Sequence, residues 1–77
     1  MNISKERARL EKAEKVLKII EIAQRRIEIR EDMINGFASN FPPLIRKYQR
    51  SIDLLEEAIP RLEKYYIKIL NKNYHGN

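Results

Sequence analysis

The sequence predicts an all-α protein, an antiparallel two-helix hairpin associating into a four-helix-bundle-like homo-oligomer. Three observations carry this reading. Apolar residues recur at steps of three and four through both halves of the 77-residue chain. Between those halves, Asn35-Gly36-Phe37-Ala38-Ser39-Asn40-Phe41-Pro42-Pro43 holds one of the two glycines and two of the three prolines. Each predicted helix also carries more apolar surface than a single neighbour can cover. The chain reads as one helical-hairpin domain, 1–77, with helices over about 5–35 and 43–72, a connector at 36–42 and a frayed tail at 71–77.

In the first helix Ser4 is the expected N-cap, and Glu6 lies in the first turn, where the helix dipole favours an anion. Leu10, Ala13, Leu17, Ile20, Ile27 and Ile34 form the main apolar face, widened by Val16, Ile19 and Ala23. A second, narrower stripe of Ile22, Ile29 and Met33 lies some ~140° round the helix. The charges are sorted too. Glu14, Glu21 and Glu28 fall seven apart on one flank, while Lys12, Arg26 and Arg30 occupy the other. Helices that select neighbour and direction by charge have this pattern.

The helix is expected to close at Gly36 in a left-handed conformation. Pro42 and Pro43 bar a helix from running through the connector, and Pro43 is expected as the first helical residue of the second half. From there Tyr48, Ile52, Leu55, Ile59, Leu62, Tyr66 and Ile69 alternate in steps of four and three without a break. Leu44, Ile45, Ala58 and Leu70 broaden that seam, while Leu54 and Tyr65 stand off it. Pro60 removes the hydrogen bond to the Glu56 carbonyl, and is expected to bend the helix without ending it because the seam continues in phase.

Folding back at the connector pairs residues whose numbers sum to about 79. Ile27 then faces Ile52, Ile20 faces Ile59, Leu17 faces Leu62, Ala13 faces Tyr66 and Leu10 faces Ile69. The same register sets Arg26 beside Asp53. Two rods of about 45 Å share one seam and little interior. Ile22, Ile29, Met33 and Leu54 are the expected oligomer interface, in a homodimer or higher assembly.

Composition narrows the chemistry. The chain has no cysteine and one histidine, His75, which removes thiolate and histidine-rich metal sites; no metal and no cofactor are expected. There is no phosphate-loop, nucleophile-elbow or zinc-protease motif, and the expectation is that the protein is not an enzyme. No apolar run approaches the ~18 residues of a membrane span, so a cytoplasmic protein without a membrane partner is expected. Sixteen basic against eleven acidic residues leave +5, a balance that suits an anionic ligand.

Two candidate sites follow. At the hinge end, Arg26 and Arg30 meet Arg46, Lys47 and Arg50 beside the start of the second helix, with Phe41 and Tyr48 offering flat faces for a base. This suits a nucleotide-type small molecule, such as a sequestered signal, or a nucleic-acid strand. The competing reading has Phe37 and Phe41 closing the end of the core and Arg26 paired with Asp53. The second candidate is a stripe of Arg61, Lys64, Tyr65, Lys68 and Lys72 that would follow a phosphate backbone in a non-specific DNA-binding or architectural protein. A third possibility uses the Ile22, Ile29 and Met33 stripe to bind a different protein, as an adaptor or inhibitor. In size, two-helix plan and basic excess the chain is similar in style to small accessory proteins of phages and mobile elements, with no motif behind the likeness.

Overall fold

The computed structural model describes residues 3–75, with side chains through Asn71. Two helices, α1 (Ile3–Asn35) and α2 (Pro42–His75), are joined by a short 3-10 turn, Phe37–Asn40. The hairpin measures 59 × 17 × 12 Å. Its radius of gyration is 17.5 Å, against roughly 11.5 Å for a compact chain of this length. The molecule is therefore a plank two helices wide. Its one seam carries the whole interior.

Burial along α2 follows the expected seam. Tyr48, Leu55, Ile59, Leu62 and Tyr66 are half-buried, and Ile52 and Ile69 are buried. Along α1 the seam is turned slightly from expectation. Its least exposed positions are Glu6, Arg9, Ala13, Val16, Ile20, Ala23, Ile27, Arg30 and Ile34, a strict three–four alternation, with Met33 beside them. A seven-residue repeat held over this length requires a left-handed supercoil. Leu10 and Leu17, expected to face Ile69 and Leu62, lie on the flank at 48% and 39% exposure. Val16 joins Ala13, Ile20 and Ile69 in the core cluster instead, with Ile59, Leu62, Tyr66 and Leu70 packed against it. The reason is volume. α2 brings a bulky side chain to nearly every seam position, so α1 presents the small Ala13 and Ala23 and lets the backbones approach.

The antiparallel register survives that rotation. Arg9 is half-buried at the open end of the hairpin, where its Nη1 donates to the Leu70 carbonyl at 3.0 Å. Those two numbers sum to 79, the register read from the pattern. Glu6 lies 3.6 Å from the same guanidinium, and Arg9 Nε has no partner among the described residues. Arg26 and Asp53 do not pair: Asp53 accepts from Gln49 Nε2 at 3.1 Å, four residues away on its own helix.

The hinge departs from expectation in three ways. Gly36 has φ −99° and ψ −120°, not the left-handed conformation. It closes α1 by donating its N–H to the Asp32 carbonyl at 2.8 Å. A Cβ at Gly36 would sit 3.0 Å from that same oxygen, so close approach, not a positive φ, is what asks for glycine. The connector is also more ordered than a bare hinge, because Ser39 N–H donates to the Gly36 carbonyl and Phe41 N–H to the Ala38 carbonyl. Finally, Ala38 is fully buried under the turn while Phe37 and Phe41 are 60% and 54% exposed, so the phenylalanines do not close the core.

The helix ends shift a little. α2 begins at Pro42, one residue early, because neither proline needs a hydrogen-bond partner in a first turn. α1 starts at Ile3, which places Ser4 inside the first turn and not at the cap. α2 runs through Pro60 to His75, so residues 71–75 of the expected frayed tail are helical, and Gly76 and Asn77 lie outside the described residues. Among the described residues no helix is long and apolar enough to cross a membrane.

A candidate anion-binding face

The hinge cations are not gathered into one site. Arg46, Lys47 and Arg50 share one arc of about 100° on the outer side of α2, with Arg50 between the other two, and that side is turned away from α1. Arg30 is half-buried in the seam, where its Nη1 donates to the Arg26 carbonyl at 3.2 Å. Tyr48 is half-buried in the same seam, and Phe41 stands exposed. The start of α2 offers little to an anion either. Pro42 and Pro43 have no N–H, and those of Leu44 and Ile45 both donate to the Phe41 carbonyl, at 2.9 and 3.1 Å. The two surface depressions described lie along α1, one bordered by Glu14, Leu17 and Glu21 and the other by Ser4 and Arg7, away from the hinge.

The second candidate fares differently. Stepping outward from the seam, each helix of an antiparallel pair presents one flank to each broad face of the plank. Lys12 Nζ lies 5.6 Å from the Tyr65 ring centroid, which sets those two residues on the same face and identifies it. By helical periodicity that face receives Lys5, Lys12, Lys15 and Arg26 from α1 and Lys47, Arg61 and Lys68 from α2. It receives no carboxylate. Lys64 stands at its edge, and Arg61 shares its charge with Glu57 on the outer side of α2 at 3.3 Å. Lys72 follows on the same stripe, its side chain outside the described residues.

The opposite face is acidic. It holds Glu14, Glu21, Glu28 and Glu31 from α1 and Asp53, Glu56 and Glu63 from α2, against Arg7 and Arg46. Among the residues whose side chains are described, the plank therefore has one broad face of seven cations and one of seven carboxylates. The α1 flanks announce this in the sequence, where Glu14, Glu21 and Glu28 oppose Lys12 and Arg26. The α2 contribution and the joining of like flanks needed the hairpin register.

The cationic face is graded along its length. Toward the open end it is charged, with Lys12, Lys15, Arg61, Lys64 and Lys68 around Tyr65. Toward the hinge it turns apolar, through Ile19 at 50% exposure, Ile22 at 49%, Ile29 at 44% and Leu54 at 62%. The four expected interface residues, Ile22, Ile29, Met33 and Leu54, thus share one surface with Arg26 among them. Among the described residues no three His, Cys, Asp or Glu side chains gather as a metal ion would require.

Compared with known proteins, the chain matches no family model, no curated protein and no solved structure.

Proposed function

We propose that this protein is a non-enzymatic binder of phosphate-bearing anions, a nucleotide or a nucleic-acid strand, and that it works as a homo-oligomer. The observation that carries the reading is the broad face on which both helices place cations and neither places a carboxylate. A bound phosphate there meets attraction from several side chains and repulsion from none on that surface. Tyr65, 41% exposed amid Lys12, Lys68 and Arg61, supplies a flat ring on which a base can stack. The ligand site moves accordingly. Arg26 and Lys47 of the hinge set belong to this face, and the rest of the binding comes from the open end.

Self-association is supported by surface area. The chain exposes 6552 Å², whereas a compact monomer of this mass exposes about 4,900 Å². The apolar hinge half of the cationic face is where that excess is least compatible with water.

Titrating a labelled single strand into the protein, beside a panel of mono- and dinucleotides, separates the two ligand sources. A strand spanning Lys12, Lys15, Arg61, Lys64 and Lys68 should bind with a salt slope of about −3.5 on logarithmic axes. A nucleotide should instead raise the melting temperature at a saturable, micromolar-range concentration. Replacing Lys12 and Lys68 by Glu should abolish either effect. Unchanged binding in that variant would end the proposal.

A further inference from the structure

We propose that the acidic face of a second copy covers the cationic face, with the second copy run end for end, so that stacking competes with phosphate for that face and a stack keeps one cationic face open at its end. The proposal rests on the self-association read above and specifies its geometry. Two copies meeting through the same cationic face would bring seven cations against seven, and the acidic faces would repel in the same way. Only unlike faces attract. An interface between unlike faces is heterologous, so each added copy leaves a fresh face on either side.

Direction follows from how each face is graded. On the cationic face the apolar residues lie toward the hinge and the charges toward the open end. The acidic face is graded the opposite way: Leu10, Leu17, Ile67 and Leu70 sit in its open half with Glu14 and Glu63, and the other five carboxylates, Glu21, Glu28, Glu31, Asp53 and Glu56, lie toward the hinge. Copies stacked in the same direction would lay lysines on leucines and glutamates on Ile29 and Met33. Reversal matches both halves at once.

With the planks flush, the register of 79 reduces the contact to one rule. Residue n of α1 lies over residue n + 41 of the other copy's α2, and the reverse holds for α2 over α1. Ile3 then meets Leu44, Leu17 meets Ala58 and Leu70 meets Ile29. Asp53 lies over Lys12, Glu56 over Lys15, and Glu28 over the turn that carries Lys68. The fit has five flaws: Glu63 and Ile67 land over Ile22 and Arg26, Glu14 falls beside Leu54, and Arg46 and Arg7 lie over Lys5 and beside Lys47. A broad face of 59 × 17 Å gives each copy about 1,000 Å² of contact, within the range of stable protein interfaces.

Sedimentation velocity on three proteins tests the arrangement: wild type, a Lys12→Glu, Lys68→Glu variant and a Glu28→Lys, Asp53→Lys variant, each checked for helix content. Wild type at about 100 μM should sediment as species larger than a dimer, and association should weaken at least about tenfold from ~0.05 to ~0.5 M salt. In each variant alone the substituted positions meet side chains of their own sign, and the species larger than a dimer should be lost. Mixed in equal amounts, the two variants restore opposite charges at the substituted contacts, position 12 with 53 and position 68 with 28, and should stack again. A monomeric wild type would overturn both this arrangement and the self-association beneath it. A dimer that the Glu28→Lys, Asp53→Lys variant still forms would overturn the arrangement alone, because that variant keeps the cationic face intact. Phosphate binding, measured separately in dilute protein, should persist in the same variant.

Discussion

Ile19 and Ile20 are neighbours of the same type on the same helix, and the fold separates them. Ile20 is 5% exposed within the Ala13, Val16 and Ile69 cluster, and Ile19 is 50% exposed on the cationic face. Truncating either to Ala removes three carbons, worth about 0.8 kcal/mol each when fully buried. At Ile20 the full transfer value applies and a cavity is added, although a core one seam thick relaxes readily, which gives about 3 kcal/mol. At Ile19 about half the transfer value applies and no cavity forms, or about 1 kcal/mol. Alanine returns roughly 0.4 kcal/mol of helix propensity in both. The expected losses are thus about 2.5 and about 0.7 kcal/mol. In a domain of this size the gap corresponds to about 7–14 °C in melting temperature. Thermal melts followed by circular dichroism in dilute protein, where self-association contributes least, read it directly. If Ile19→Ala costs as much as Ile20→Ala, α1 does not face α2 along the seam described here.

Other substitutions probe the ends and joints. Gly36→Ala should cost about 1 kcal/mol, because the added methyl presses on the Asp32 carbonyl that closes α1; a chemical denaturation midpoint unchanged from wild type would contradict it. Pro60→Ala should stabilise by about 2 kcal/mol, since α2 continues through an exposed proline that denies the Glu56 carbonyl its donor. A lower melting temperature would show that the proline shapes the seam in a way a straight helix cannot. Arg9→Ala should cost about 1 kcal/mol and speed amide exchange in the last turns of α2, where the guanidinium holds the Leu70 carbonyl. Unaltered exchange there would mean that this hydrogen bond does not bind the two helix ends together.

Much of this architecture is written in local pattern. Periodicities of three and four, a Gly and a Pro-Pro pair between them, and the absence of any other breaker except Pro60 determine two helices and one reversal. The α2 seam was readable residue by residue because bulky apolar side chains mark every one of its positions from Tyr48 to Ile69. The register of 79 was readable as well, since only that alignment places apolar on apolar throughout.

What the pattern of α1 left open was rotation. Nine apolar residues cover half its circumference, so hydrophobicity alone does not choose between Leu17 and Val16 as the inward side chain. Packing chooses, because the bulk of α2 demands small or β-branched partners at Ala13, Val16 and Ala23. Arg30, read from the pattern as a flank cation of the hinge site, lies in the seam for the same reason. The hinge anion site failed to assemble for a related reason. Arg46, Lys47 and Arg50 do share the outer side of α2, but the turn of α1 carries Arg30 into the seam, and the first-turn N–H groups of α2 are absent or already bonded. Sequence by itself determined helices, joint and register, which depend on periodicity and backbone sterics. Only the tertiary structure decided which flanks join, and so which face gathers cations and which gathers carboxylates, because that depends on how two helices turn toward each other as they pack.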